Sequence, residues 1–340
     1  MSGSWFYHLP QTEKPVRCAT ADAALAAAKD GGFVWLNYCQ PTREELANLI
    51  DPLGLHPLSI EDCFDKNQLP KIEDFPTNTF ILFNAFDYSN RALLIGEIDL
   101  FIGANFLVTV SQRNSEKCWL WDGIEQIVET DSERAQQGPG FLMHIILDQV
   151  VDHKFLAIEA LEDELDTVEE ALLADAASLK PAELIRFRRY LLNLRKSLFH
   201  EREILAKICR KDCPFIPDEA IFHYRDIYDH LVRFFELTES YRDMVTSLME
   251  MYLSLLNNQM TKTANATNAT VRRLTIITTI FMPLTLLAGI GGMSEWSMMT
   301  GPENWGFTYP AFILAMVVLG FANYYLLKWL ERRNLSQDRR

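Results

Sequence analysis

The chain is poor in positive charge: 32 lysines and arginines stand against 46 aspartates and glutamates, a net charge of −14. A protein that grips phosphates needs a basic surface, so the charge argues against nucleic acid as a partner and disfavours anions in general. The surplus carboxylates suit divalent cations or simply a well-solvated surface, and charge alone leaves both readings open. Six cysteines scattered over 340 residues make no disulfide framework and fit a reducing compartment. The amino terminus, MSGSWFYHLPQTEKPVR, has no apolar core behind a basic start, so no secretory signal is expected. No GxxxxGK[ST] phosphate loop is present, which argues against ATP-driven pumping. With no catalytic constellation either, the chain is not expected to be an enzyme or to need a resident cofactor.

Glycine is also missing, from Phe141 all the way to Ala288, and prolines in that stretch occur only at 181, 214, 217 and 283. Apolar residues there recur at spacings of three and four (Leu147, Val150, Val151, Phe155, Ile158, Leu161, Leu165, Val168), which predicts a long amphipathic helix. Pro181 stands where a second helix would begin, running through Arg186–Arg195. A third begins after Pro217 and meets no breaker before Pro283. If continuous to Ile290 it would be a single rod of about 110 Å, stalk and first membrane span together. Residues 1–140 instead read as mixed α/β. Phe33–Tyr38, Thr79–Phe86 and Gly96–Val110 are strand-like, Arg43–Ile50 reads as a short helix, and Asp87–Asn90 and Gly103–Asn105 read as turns. A sheet flanked by helices is expected.

What the sequence does have is two long apolar runs near its end, Leu274–Ile290 and Tyr309–Leu327. A bilayer core of about 30 Å takes about 20 helical residues, so two crossings are the natural reading, with a buried helical hairpin of a soluble domain as the alternative. Arg272 and Arg273 precede the first run, and Lys328, Arg332, Arg333, Arg339 and Arg340 follow the second. The loop between them has no lysine or arginine and carries Glu295 and Glu303. The positive-inside rule then places both termini in the cytoplasm, with the chain in the cell (inner) membrane.

The first run carries a polar stripe. Asn268, Val271, Thr275, Thr278, Met282, Thr285 and Gly289 fall within an arc of about 100° on a helix of 3.6 residues per turn. Hydroxyls in lipid often bond their own backbone, so single threonines mean little. A whole stripe with Met282 inside it reads either as a pore wall with an apolar constriction or as a polar helix–helix contact. Two helices cannot enclose a channel, so a pore requires a ring of subunits.

Leu274–Thr285 (LTIITTIFMPLT), followed by Ala288–Met293 (AGIGGM), closely resembles the first membrane helix of CorA-type metal ion transporters of the CorA/ZntB-like superfamily. Leu55–Asp62, Pro70–Glu73 and Asn105–Thr109 resemble the amino-terminal domain of that family, and Tyr224–His230 and Tyr252–Ser254 its stalk. The resemblance implies an α+β/α protomer: a cytoplasmic α/β domain (1–140), a long helical hairpin and stalk helix (141–270), a pore-lining transmembrane helix (271–290), an outer loop (291–308), a second transmembrane helix (309–328) and a basic cytoplasmic tail (329–340). It further implies a homopentameric funnel that passes divalent metal ions, Mg²⁺ expected first and Co²⁺, Ni²⁺ or Zn²⁺ next, and closes when metal binds between subunits on the cytoplasmic side. Matched by position, Asn268 is the polar pore ring, Val271, Leu274 and Met282 the hydrophobic constriction, and Thr285 and Gly289 line the pore, with Thr275 and Thr278 joining them as members of the same stripe. Asp226 matches the regulatory metal site, with Asp87 the candidate partner from the amino-terminal domain.

Two departures stand out. The family signature at the outer mouth is Gly-Met-Asn, and this chain has Gly292-Met293-Ser294. Serine offers one short hydroxyl where asparagine offers an amide with its own carbonyl, and hydrated Mg²⁺ is held through outer-shell hydrogen bonds, so ion identity is left open. Glu295 and Glu303 read either as carboxylate rings at the mouth or as plain solvated loop charge. The stalk also carries about seven extra residues, placed at Thr261–Thr267, which add two turns and nearly preserve helical phase. A proton-coupled zinc importer, a less selective channel and a membrane-anchored scaffold without transport are the rival readings.

Elsewhere, Cys209 and Cys213 read as buried structural cysteines rather than zinc ligands. His56-Pro57 with Glu61 and Asp62 reads as a helix start capped by Ser59 and Asp62 rather than a metal site. The acids of Glu159–Glu170 read as a solvated helical face.

Overall fold

The computed structural model describes residues 4–10, 14–65, 68–111, 119–130, 135–175, 179–292 and 301–337. The chain divides into two compact units, Met1–Tyr252 and Leu253–Arg340. The first is built on a seven-stranded sheet in the order β2-β1-β3-β7-β6-β5-β4. Its strands are β1 (Trp5–Leu9), β2 (Val16–Cys18), β3 (Phe33–Cys39), β4 (Lys71–Asp74), β5 (Asn78–Ser89), β6 (Ala92–Gly103) and β7 (Phe106–Ser111). The β3–β7 pair is parallel and the other neighbours are antiparallel.

Successive side chains on a strand point to opposite faces, and both faces here are covered. Val34, Leu36, Phe80, Leu82, Phe101 and Val108 form one core with the short helices α1 (Ala21–Ala27), α2 (Arg43–Ala47), α3 (Ile50–Leu53) and α4 (Pro57–Asp62). Trp35, Ile81, Phe83, Leu100 and Ile102 form the other with α5 (Trp119–Thr130), α6 (Pro139–Ala174), α7 (Pro181–Cys209) and the start of α8 (Ile221–Gly291). Coverage on both faces explains why β3 reads as a continuous apolar run rather than an alternation.

Several local expectations shift. The helix expected at Arg43–Ile50 is two helices: α2 starts on a capping box between Thr42 and Glu45, then breaks at Asn48 before α3. The turn expected at Asp87–Asn90 sits later, because Asp87 and Tyr88 stay paired with Leu94 and Leu93. Asn90 and Arg91 make the turn at positive φ (52° and 61°), as a two-residue hairpin requires. Helix α4 is capped by His56, whose Nδ1 accepts from the Leu58 amide at 3.2 Å, and not by Ser59, which is buried one turn in. Of the apolar series on α6, all but Phe155 are buried; Phe155 is partly exposed and stacks on Phe234 of α8.

Helix α8 follows a 3-10 turn at Asp218–Ala220 and is unbroken from Ile221 to Gly291, passing through Thr261–Thr267 with every one of those residues exposed. In the second unit its end packs against α9 (Trp305–Gln337). α9 starts four residues earlier than the expected span and continues past it. A side chain at Gly291 would strike the ring of Phe312 at 2.8 Å, and Gly320 lies against Leu284. Ile276, Ile280, Pro283, Leu284, Leu287 and Gly291 are the half-buried positions of that helix end.

Candidate functional site

The contacts of α9 fix the orientation of the polar stripe. On a helix of 3.6 residues per turn, the half-buried positions Ile276, Ile280, Leu284 and Leu287 face roughly opposite to Asn268, Val271, Thr275, Thr278, Met282, Thr285 and Gly289. Those seven residues, and Leu274 beside them, are all exposed. The second span therefore leaves the polar stripe uncovered, and the apolar side chains flanking it are uncovered as well: Leu274, Ile277, Phe281 and Leu286 are each more than half exposed. The most apolar windows of α8 and α9 contain no buried residue. A hairpin in the core of a soluble domain would have its apolar surface covered, so that alternative fails here.

The hydroxyls on the stripe have a defined direction. Thr275, Thr278 and Thr285 donate to the carbonyls of Val271, Leu274 and Phe281 at 2.9, 2.8 and 2.8 Å. This is the backbone bonding that sequence reasoning anticipated for membrane threonines, and it has a chemical consequence. With its hydrogen committed, each oxygen presents only lone pairs outward, so the stripe accepts hydrogen bonds and offers none from its threonines. Thr278, Met282, Thr285 and Gly289 also line one open groove with Phe281, Leu286 and Ile290. Among the described residues nothing lies within 4 Å of where a side chain on Gly289 would begin.

The proposed mouth is only partly in view. Gly292 continues the helix end through its amide, which donates to Ala288 at 3.0 Å, and Glu303 is exposed in a short 3-10 turn. Met293, Ser294 and Glu295 lie outside the described residues. On the other unit, Asp226 is 71% exposed on α8 and 3.8 Å from His230, while Asp87 on β5 accepts from Ser89 at 3.3 Å. The two acids thus have different partners among the described residues. No group of three or more histidines, cysteines and acids able to hold a metal occurs among the described residues. Cys213 is buried and Cys209 half-buried, in keeping with a structural role.

The acids of Glu159–Glu170 are not all solvated. Glu164 is 12% exposed and takes hydrogen bonds from Tyr88 and from Arg186 at 2.6 Å, tying α6 to β5 and α7. Sequence reasoning also missed Glu97 and Asp99, which alternate with Ile98 and Leu100 and so read as the wet face of a strand. That face is covered by the end of α4. Asp99 is fully buried beside Cys63; apart from that thiol, neither its oxygens nor Oε1 of Glu97 find a protein partner among the described residues. Burial pushes the carboxyl of Glu97 from its ordinary 4.5 up to about 7, and that of Asp99 well up too, with the neighbouring Glu97 charge adding to it.

A raised carboxyl pKa in the folded state means that stability falls as pH climbs from the unfolded value to the folded one. Between about pH 4.5 and 7 the folded chain should therefore lose stability on account of Glu97. Glu97→Gln is expected to flatten that slope and raise the thermal midpoint at pH 8. Melts across this range, with tryptophan fluorescence as readout, check it, and an unaltered slope would refute the assignment.

The geometry thus presents an amphipathic two-helix unit with an acceptor stripe, attached to an α/β unit. The family described as CorA-like Mg²⁺ transporter protein matches residues 30–329, a span that includes both apolar helices. The cobalt/magnesium transport protein CorA of Thermotoga maritima is 30% identical over 290 residues, covering 84% of this chain and 79% of its own. The zinc transport protein ZntB of Yersinia pseudotuberculosis is 22% identical over 310 residues, covering 91% of this chain and 89% of its own. Among solved structures, the complete CorA magnesium transporter of Methanocaldococcus jannaschii is similar with a TM-score of 0.69 at 23% identity, covering 96% of this chain and 98% of that one, which establishes the fold. With most of the α/β unit, the stalk helix and both carboxy-terminal apolar runs inside the matched span, this chain belongs to the CorA-like Mg²⁺ transporter family.

Proposed function

We propose that the chain assembles as a homopentamer whose first membrane helices surround a passive pore for divalent cations, Mg²⁺ first among them, with both termini in the cytoplasm. The observation that carries this reading is the acceptor stripe on the face that α9 leaves uncovered. A hydrated divalent cation presents water hydrogens outward, and back-bonded threonine oxygens receive them while giving an anion nothing to hold. Asn268 forms the inner polar ring, Thr275, Thr278 and Thr285 the wall, and Gly289 a wide ring near the mouth. Val271, Leu274 and Met282 are the apolar constriction, which closes by excluding water. Gly292, Met293 and Ser294 form the outer mouth, with Glu295 and Glu303 as attracting carboxylates. Metal held between Asp226 of one subunit and Asp87 of the next keeps the pore shut. The small polar side chains of Thr261–Thr267 line a longer inner vestibule.

Similarity to a zinc transport protein and the serine at the mouth favour a second reading, a zinc importer with or without proton coupling. Ion-competition flux into liposomes separates the two. Saturable Mg²⁺ uptake that Co²⁺ and Ni²⁺ compete for, and that tightens in Ser294→Asn, is expected. Zn²⁺ uptake that follows an imposed pH gradient, with Mg²⁺ inert, would establish the second reading. An intact oligomer that passes no ion would defeat both.

A further inference from the structure

The start of α6 and the start of α8 meet through aromatic and imidazole side chains with no part in the proposed pore or its regulation. The Tyr224 hydroxyl donates to the Gly140 carbonyl at 2.6 Å, and Gly140 itself leaves no room for a side chain beside Pro217. One turn further along α6, His144 is buried at 8% exposure, and it lies against His223, the neighbour of Tyr224. Their ring centres are 5.0 Å apart and the planes are tilted by 49°. Phe141 packs edge-on to His223 at 6.0 Å, and Tyr224 to His144 at 5.7 Å, so both rings are boxed in by aromatic neighbours.

We propose that His144 and His223 form a two-imidazole site for a late first-row divalent metal ion such as Zn²⁺, Ni²⁺ or Co²⁺, clasping the first turns of α6 and α8. Two imidazoles that share one ion through nitrogens about 2.0–2.1 Å from it must hold their ring centres about 4.5–5.5 Å apart. The observed spacing falls in that interval, and the rings are tilted by 49° rather than stacked parallel. Imidazole nitrogen suits these metals, whereas Mg²⁺ prefers oxygen and dehydrates reluctantly, so the site discriminates against the ion proposed as principal cargo. Two protein ligands leave the remaining coordination positions to water, on the side where His223 is half-exposed. The tight Tyr224–Gly140 contact sets the two helices in place before metal arrives, so little ordering is required on binding. The site stands whether or not the chain conducts ions.

The test is Zn²⁺ titration of the full-length protein in detergent by isothermal calorimetry, with Mg²⁺ in large excess to occupy oxygen-lined sites. One saturable Zn²⁺ per chain is expected. His223→Gln and His144→Gln should each weaken binding by about tenfold or more, and the double variant should be little worse than either single one, because each removes the same chelate. A rise in thermal midpoint on adding Zn²⁺ should appear in the unaltered chain and vanish in His223→Gln, whose partly exposed position tolerates the change. His230→Gln serves as the rival arm, since His230 with Asp226 is an imidazole–carboxylate pair further along α8. Binding lost in His230→Gln and kept in His223→Gln, or no saturable Zn²⁺ binding at all, overturns the proposal.

Discussion

Asp226→Ala is expected to keep conducting at internal Mg²⁺ concentrations that shut the unaltered protein, with flux raised about 5- to 150-fold, the range of a coupling free energy of 1–3 kcal/mol. The argument is one of linkage. Metal that closes a pore must bind the closed state more tightly than the open one, and a carboxylate supplies that difference only if the closed assembly brings it to the ion. Asp226 is suited to this. It is 71% exposed, it has His230 as an ionic neighbour at 3.8 Å, and the chain by itself gathers no ligand group around it among the described residues. On the proposed reading, a second subunit completes the site. Asp87→Ala should produce the same release if Asp87 is that complement, and the double variant should then add little. Flux into Mg²⁺-loaded proteoliposomes reads all three. Undiminished inhibition by internal Mg²⁺ in Asp226→Ala would remove that residue from regulation.

Glu201→Leu is expected to destabilise the first unit by about 3–5 kcal/mol, because it strands a buried ammonium. Lys154 of α6 and Glu201 of α7 are both completely buried, with Nζ 2.5 Å from Oε2. The other oxygen of Glu201 accepts from the Asn84 amide and the Ser197 hydroxyl, each at 3.1 Å, and Asn84 also donates to Ser197 at 2.7 Å. Phe83 and Phe86 lie 4.0 and 4.8 Å from the ammonium, so Lys154 is held by ring faces as well as by charge. Burial nevertheless brings its pKa down to about 8 against the pull of Glu201. A buried pair replaced whole by apolar residues often costs little, whereas half of one costs much. Lys154→Met/Glu201→Leu should therefore recover most of the loss, short of about 1 kcal/mol for each donor left without an acceptor. Denaturant midpoints followed through Trp5 and Trp35, both in the core, distinguish the cases; equal midpoints for the single and double variants would contradict this view.

Much of the candidate site was legible because helices advertise themselves by period. A glycine-free stretch with few prolines can hardly be anything but helix, and a stripe at 3.6-residue spacing is visible without coordinates. Family membership was legible for a similar reason, since the apolar run with its threonines and glycines is a local pattern. Turn positions were less so. Asp87 and Tyr88 look like turn residues by type, yet cross-strand pairing and the contact of Tyr88 with Glu164 hold them in the strand. Alternation misled at Glu97 and Asp99, because a strand signals which residues share a face but not whether a helix from elsewhere covers that face.

What the sequence determined by itself is therefore everything carried by nearest neighbours along the chain: an α/β unit, long helices after Gly140, two spans, a surplus of carboxylates and a hydroxyl stripe. Only the tertiary structure decided what those surfaces meet. It put Gly320 and Phe312 of α9 against Leu284 and Gly291 and left the threonines exposed, it buried Lys154 with Glu201, and it brought His144 to His223 across 79 positions of chain. Contacts of that kind depend on the packing of distant elements, and the local preferences that set helix and strand contain no term for them.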